Sequence, residues 1–391
     1  MSDMEYKRLS DCATWGKDRT CDINYESYIS TENMIKDKGG VNIASSLPDS
    51  KTASAYSPND ILLSNIRPYF RKIWYADKNG SCSNDVLVVR ADEDIDSKFL
   101  YYVLSDNNFF NYDTVTSKGT KMPRGTQTAI MKYLVPDINV GKQRKIADIL
   151  SAYDNLIENN NKRIRLLEQM AENLYKEWFV RFRFPGYEHI KFIDDIPSDW
   201  QILRMSNFCY VTDGTHDTPK PVTEGGVPLV TGKCIKNGFI DFNEPYNISY
   251  QDHESISKRS GLQTGDILFS NIGTVGTTCI VNYDREFSVK NVIIFKPDNT
   301  KISNYLYSWL NSDSIQAIFA TQTNGASQQF VGLNFMRRFK ILVPNENVLT
   351  LYSDRIKSIR AEIVKLHDIN NNLIKQRDYL LPRLMSGKLE V

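Results

Sequence analysis

The chain repeats itself. Asn59-Asp-Ile-Leu-Leu-Ser-Asn-Ile66 returns as Gly265-Asp-Ile-Leu-Phe-Ser-Asn-Ile272, an offset of 206 from 59 to 265, and Leu134-Val-Pro136 returns as Leu342-Val-Pro344, an offset of 208 from 134 to 342. Gly119, in a polar stretch, has its counterpart in Gly325. A nearly constant offset across separate motifs marks an internal duplication, which restricts the fold to two copies of one unit. With 391 residues, each copy has enough chain for a core of its own.

Both copies follow the same plan. Runs such as Val86-Leu-Val-Val89 and Asn291-Val-Ile-Ile-Phe295, bounded by Gly, Asn, Asp and Pro, predict strands. Lys98 to Leu104 and Ile302 to Leu310 predict short helices at matching positions, and a long helical pattern closes each copy. The fold class is therefore α+β, with two β-rich domains in tandem separated by two long helices. The divisions are a domain over 1–140, a helix over 141–184, a domain over 185–348 and a helix over 349–391.

The helices carry the most regular signal. Ile146, Leu150, Tyr153, Ile157, Asn160, Ile164, Leu167, Ala171, Leu174 and Trp178 follow alternating steps of four and three, the spacing of a coiled-coil seam. Tyr352, Ile356, Ile359, Ile363, Leu366, Asn370, Leu373, Arg377, Leu380 and Leu384 do the same. Each seam covers ~48 Å at 1.5 Å per residue, too long for one small domain to bury, so the helices are expected to pair with each other. Antiparallel pairing with level ends joins positions whose numbers add to 530, which sets Asn160 opposite Asn370. Two seam amides in one layer satisfy each other and fix the register, whereas parallel pairing sets each against a hydrocarbon.

Charge says little about a partner, since 48 Lys+Arg stand against 47 Asp+Glu; a nucleic acid would have to meet cations gathered locally. The six cysteines are scattered without a Cys-x-x-Cys pair and the four histidines lack ligand spacing, which disfavours a zinc site or a disulfide framework. Met1 to Lys7 lacks the apolar core of a signal peptide, and no stretch approaches the ~20 apolar residues of a membrane helix, so a cytoplasmic location without membrane contact is expected.

Gln143-Arg-Lys-Ile-Ala-Asp-Ile-Leu150, Asp154-Asn-Leu-Ile-Glu-Asn-Asn-Asn161 and Leu166-Leu-Glu-Gln-Met-Ala-Glu-Asn-Leu-Tyr175 resemble the central conserved region of type I restriction–modification specificity subunits. Leu380-Leu-Pro-Arg-Leu-Met-Ser-Gly-Lys-Leu389 is similar to that family's carboxyl-terminal conserved region. Ile196-Pro-Ser-Asp-Trp200, Asp213-Gly-Thr-His-Asp-Thr-Pro219, and Gly265-Asp-Ile-Leu268 leading to Gly273-Thr-Val-Gly276 also match. The first half departs from the pattern: Asn59 stands where Gly is usual, and the Asp-Gly-x-His-x-x-Pro stretch is absent.

The resemblance implies two target-recognition domains, each reading one part of a split double-stranded DNA sequence. It implies paired helices that set the spacing and dock two modification subunits, and it implies no catalytic centre and no cofactor in this chain. S-adenosylmethionine would belong to the modification subunits, and ATP with Mg²⁺ to restriction subunits. A specificity module of a methylation-only system and a coiled-coil scaffold that binds no DNA are the alternatives.

Cationic and polar loops interleaved with aromatics are the expected DNA contacts, because Arg and Lys hold phosphates or guanine edges while Asn and Gln read adenine. In the first half these are Asn65, Arg67, Tyr69, Arg71 and Lys72, followed by Lys118, Thr120, Lys121 and Arg124. In the second they are His216, Lys220, Lys233, Lys236, Asn271, Asn324, Ser327 and Gln328. Gly273 and Gly276 suit a hairpin turn, and Trp178, Phe179, Phe182 and Phe184 suit packing at the helix end. An adenine methyltransferase needs an Asn/Asp-Pro-Pro-aromatic segment, and the sequence has no Pro-Pro pair. A nuclease site from Asp49, Asp96 and Lys98 has no support from the repeat, and His216, Asp213, Asp217 and Cys209 all lie in one short stretch, where a lone histidine more often bonds a phosphate or backbone group than a metal.

Overall fold

The computed structural model describes residues 5–323 and 330–389. The chain divides into two compact units, one made of Met1–Asn161 with His367–Val391 and the other of Lys162–Leu366.

In the first unit the apolar run Ile61–Ser64 is enclosed along its whole length, because it lies inside an antiparallel sheet ordered Ala13–Trp15, Val86–Ala91, Ile61–Ser64, Ile73–Tyr75. A second sheet is ordered Arg19–Thr20, Ala53–Tyr56, Gly80–Cys82, Tyr28–Ile29, its last pair parallel. Tyr6–Arg8 pairs with Leu134–Pro136, which ties the start of the domain to the residues that lead into the first long helix. The helices Ser97–Ser105 and Asn107–Thr116 cover the core, and the first opens where Asp96 accepts from the Phe99 N–H at 2.8 Å. Asp96 is thus a helix cap.

The second unit repeats the four-stranded sheet and the closing tie of the first. Its sheet is ordered Tyr210–Asp213, Val292–Lys296, Ile267–Ser270, Thr278–Ile280, again antiparallel. Val227–Thr231 runs parallel to Ser288–Lys290, and Gln201–Arg204 pairs with Lys340–Val343 as the domain-closing tie. Thr300–Leu310 is capped by Asn299, whose side chain accepts from the Ile302 N–H at 3.1 Å. Trp178, Phe179 and Phe184 lie in this unit's core with Trp200, Tyr305 and Tyr352.

The repeated motif is anchored from below in both units. Asp60 accepts from the Ser57 N–H at 2.8 Å and from Arg90 Nε and Nη2, both at 2.8 Å. At the same offset of 206, Asp266 accepts from the Gln263 N–H at 2.9 Å and from Lys296 Nζ at 2.5 Å. Burial raises the Asp266 carboxyl and the Lys296 ammonium opposes that rise. The residue before each acid has positive φ, 74° at Asn59 and 96° at Gly265. Asn and Gly tolerate that conformation best, which explains the exchange between the copies.

The long helices span Val140–Tyr175 and Glu346–Met385, the first continued by a wider turn over Lys176–Val180. Within the first unit they run antiparallel: Asn160 Nδ2 donates to Asn370 Oδ1 at 2.9 Å, and Asn370 Nδ2 donates to Asn161 Oδ1 at 2.9 Å. Asn160 and Asn370 are only 7% and 6% exposed, so the bond between them and the bond from Asn370 to Asn161 offset a real desolvation cost. Within the second unit the helices are also antiparallel, with Trp178 against Tyr352 at 5.8 Å between ring centres and Arg163 paired to Glu362 at 2.8 Å. Residue numbers 160 and 370, and 178 and 352, both add to 530, so the seam register holds in each unit.

Candidate nucleic-acid interface

In the first unit the two cationic loops expected from the sequence lie side by side. The Gly125 N–H donates to the Asn65 carbonyl at 3.0 Å, Ile66 bridges to Arg124, and the Arg67 N–H donates to the Pro123 carbonyl at 2.8 Å. The second loop closes on itself, since Lys118 and Arg124 exchange N–H to carbonyl bonds, both at 2.9 Å. Lys118, Thr120 and Lys121 are exposed on this closed loop, and Lys118 and Lys121 have no ion pair among the described residues. Tyr69 is exposed on a tight turn, Pro68–Phe70, flanked by left-handed backbone at Arg67 and Arg71. Left-handed arginines store backbone strain, which is concentrated where side chains must be aimed.

Several cations of this rim are already engaged. Arg71 is paired to Asp37 and reaches Asn107, Arg124 stands 3.2 Å from Asp85, and Lys72 donates to the Thr31 carbonyl. Burial lowers the Lys72 ammonium below its ordinary value, with Glu32 opposing. The acids involved lie outside the acid-free loop segments, so the loop sequences alone overstate their free charge. Asn65 is half-buried with its Oδ1 enclosed, and Arg67 keeps Nε enclosed, so both support the loops from beneath.

In the second unit the expected loops meet around Lys290. Thr231 and Thr215 both pair with this residue, which brings 213–220 and 231–236 to one rim. A Cβ at Gly214 would stand 2.1 Å from the Val289 carbonyl oxygen, so glycine is what lets the Asp-Gly-Thr-His segment approach. His216 Nε2 sits 2.9 Å from Asp213 Oδ2 and its Nδ1 sits 3.0 Å from Asn291 Oδ1, while Arg259 also pairs with Asp213. Both ring nitrogens are therefore occupied within the domain.

Lys220 and Lys233 are exposed without an ion pair among the described residues, whereas Lys236 is held by Asp241 at 2.7 Å and Glu244 at 2.8 Å. Asn271 is enclosed and receives the Val331 N–H on its carbonyl at 3.0 Å, as Asn65 receives that of Gly125. Gly273 and Gly276 both have positive φ, in a turn after Ile267–Ser270. Asn324, Ser327 and Gln328 lie outside the described residues.

Sequence reasoning passed over Asp37, Asp85, Lys290, Asn291, Asp113 and Gly125, all of which touch or shape these rims. Asp113 alone carries a signal in the sequence: at the offset of 206 its counterpart is Phe319, so a carboxyl occupies a core position of the repeated unit.

The repeated domain and its two loop rims can be set beside known proteins. A family described as the type I restriction modification DNA specificity domain matches residues 1–169 and again 197–380. This chain belongs to that family. Among its relatives, the type I restriction enzyme MjaIX specificity subunit of Methanocaldococcus jannaschii is 23% identical over 75% of this chain and 69% of the relative. The MjaVIII specificity subunit of the same organism is 24% identical over 85% of this chain and 80% of the relative. The HindI specificity subunit of Haemophilus influenzae is 22% identical over 86% and 87%. The fold is like that of the type I restriction–modification S subunit of M. genitalium, with a TM-score of 0.57, 15% identity, and 98% and 97% of the two chains covered. Two specificity domains in tandem, each followed by a long helix, are thus the family architecture of this chain.

Proposed function

We propose that this chain is the DNA sequence-specificity subunit of a type I restriction–modification complex. Each domain reads one half of a split double-stranded target through its loop rim, and the paired helices set the spacing and dock two modification subunits. The observation that carries this reading is the duplication of the rim. Asn65 and Asn271 stand at the base of equivalent loops, each receiving a backbone N–H from the neighbouring loop on its own domain. Two related but differently furnished rims suit two different half-sites, as a symmetric dimer's identical rims suit a palindrome.

The chain's part is recognition. Methyl transfer from S-adenosylmethionine belongs to the modification subunits, and ATP- and Mg²⁺-dependent translocation and cleavage to restriction subunits. Cytoplasmic DNA is the substrate of the assembly.

The test is methylation-sensitive long-read sequencing of DNA from cells that express this chain with its neighbouring modification subunit, compared with the modification subunit alone. A split adenine-methylated motif that appears only with this chain supports the reading and reveals both half-sites. No new motif from a complex that assembles would overturn it in favour of a scaffold.

A further inference from the structure

Asp113 lies behind the rim of the first unit and is an anomalous group there. It lies on the helix Asn107–Thr116 with no exposed surface, and neither carboxyl oxygen has a hydrogen-bond partner. It faces Gly125, where an added Cβ would stand 2.5 Å from Asp113 Oδ1, 3.1 Å from its Oδ2 and 3.1 Å from Asn65 Oδ1. Asn65 Oδ1 is itself enclosed without a donor. Three acceptor oxygens without a donor thus border the space that a Cβ on Gly125 would fill.

An enclosed carboxylate beside an amide oxygen is repulsive, whereas a neutral carboxyl has one hydrogen to give and an acceptor waiting. Burial alone pushes the Asp113 carboxyl up to about 7. The titratable side chains on the segments around it are Asp106 and Tyr112 on its own helix, Arg67, Tyr69, Arg71 and Lys72 on one loop, Lys118, Lys121 and Arg124 on the other, and Lys98, Tyr101 and Tyr102 on the preceding helix. Arg71 is taken by Asp37 and Arg124 by Asp85, and no charge offsets the burial of Asp113. The short helix Gln127–Ile130 brings no charged residue.

The second unit lacks the acid and holds its amide from the nitrogen side. There Phe319 and Val331 stand where Asp113 and Gly125 would be; Asn271 Nδ2 donates to the Val331 carbonyl at 3.3 Å, and its Oδ1, like that of Asn65, is enclosed without a donor. Asn271 is fully enclosed, while Asn65 keeps part of its surface open.

We propose that Asp113 is a positioning residue for Asn65: its neutral carboxyl donates to Asn65 Oδ1 and so turns the amide nitrogen away from the core, toward the junction of the two cationic loops. When Asp113 loses its proton to solvent, the amide turns over, Nδ2 donates to the carboxylate, and the oxygen faces outward. The junction then offers an acceptor in place of a donor, the distinction on which base edges are read. The consequence for base preference rests on the DNA-binding reading above, but the positioning itself does not.

Two measurements on the full chain test it, with Asp113→Asn and Asn65→Ala. The amide introduced by Asp113→Asn keeps a donor facing Asn65 at every pH. Thermal unfolding from about pH 5 to pH 8 should show the Tm of Asp113→Asn rising relative to the parent as pH climbs toward the Asp113 titration near 7, then levelling above it. A constant Tm gap would overturn the proposal.

The second measurement is binding of a duplex that carries the motif found by methylation mapping. The parent's Kd should weaken about three- to tenfold between about pH 6 and pH 8, the worth of one hydrogen bond, and both variants should stay flat. A parent-like profile in Asn65→Ala would overturn the coupling, because Asp113 would then act without Asn65. If no variant retains DNA, the DNA-binding reading fails, while the pH midpoint of the unfolding profile, which should fall in Asn65→Ala and stay in place if Asp113 acts alone, still decides the positioning.

Discussion

Arg377 donates to Asp154 across the helix pair at 2.6 Å, two turns from the hydrogen bond between Asn160 and Asn370. Asp154 also accepts from the Tyr102 hydroxyl at 2.6 Å, and Asp378 stands 3.6 Å from Lys38. The first domain is therefore bonded to its own stretch of helix by polar contacts as well as by the apolar core that includes Leu150 and Leu384. Burial lowers the Lys38 ammonium below its ordinary value, with Asp378 opposing. Four consequences can be measured.

Asn160→Leu leaves the Asn370 amide enclosed without its Asn160 partner and should destabilise the chain by about 1–3 kcal/mol in thermal or urea unfolding. The double change Asn160→Leu with Asn370→Leu should recover much of that loss, since hydrocarbon then faces hydrocarbon. Failure of the double variant to recover would mean that the pair contributes more than mutual satisfaction.

Asp266→Ala leaves the largely enclosed Lys296 ammonium with the Gly261 carbonyl but without its counter-charge, at a cost of up to about 3–5 kcal/mol. Combining it with Lys296→Met should cost less than the single change. A double-variant loss equal to the sum of the two single losses would show that the two side chains act independently.

Lys118→Ala with Lys121→Ala should lower affinity for DNA and flatten the logarithmic salt dependence by up to about 2, close to one for each phosphate no longer neutralised. Lys236→Ala should leave that slope unchanged, because Asp241 and Glu244 already hold its ammonium. An unaltered slope in the first variant would place the phosphate-binding cations elsewhere.

Of the six cysteines, Cys21 alone is exposed, and burial raises the thiols of Cys12, Cys82, Cys209 and Cys279. The sign matters: a raised thiol has less thiolate at a given pH and reacts more slowly. An alkylating reagent near pH 8 should therefore modify one thiol quickly per native chain and the rest only on unfolding. Rapid labelling of a second site would mean that one of the cores opens.

What could be read from the residues alone was whatever repeats. The seam spacing carried both the antiparallel pairing and the layer that joins Asn160 to Asn370, because a coiled coil has one dominant period. The strands Val86–Ala91 and Val292–Lys296 followed from short apolar runs bounded by turn residues. The loop rims were located, but their electrostatics were not. Asp37 lies 34 residues from Arg71 and Asp85 lies 39 from Arg124, and no local rule links residues that far apart in an irregular loop region. His216 shows the same limit: Asp213 is three positions away and visible, whereas Asn291, 75 positions away, is supplied by the bend between Ser288–Lys290 and Val292–Lys296.

The acid–base anchor beneath the sheet separates what must persist from what can vary. Asp60 with Arg90, and Asp266 with Lys296, hold strands in place without borrowing an atom from residues 118–124 or 213–220. Residues 118–124 and 216–220 can therefore change chemistry while these acid–base anchors keep their hydrogen bonds. A duplicated gene for such a unit can drift toward two unlike vocabularies at little risk to folding.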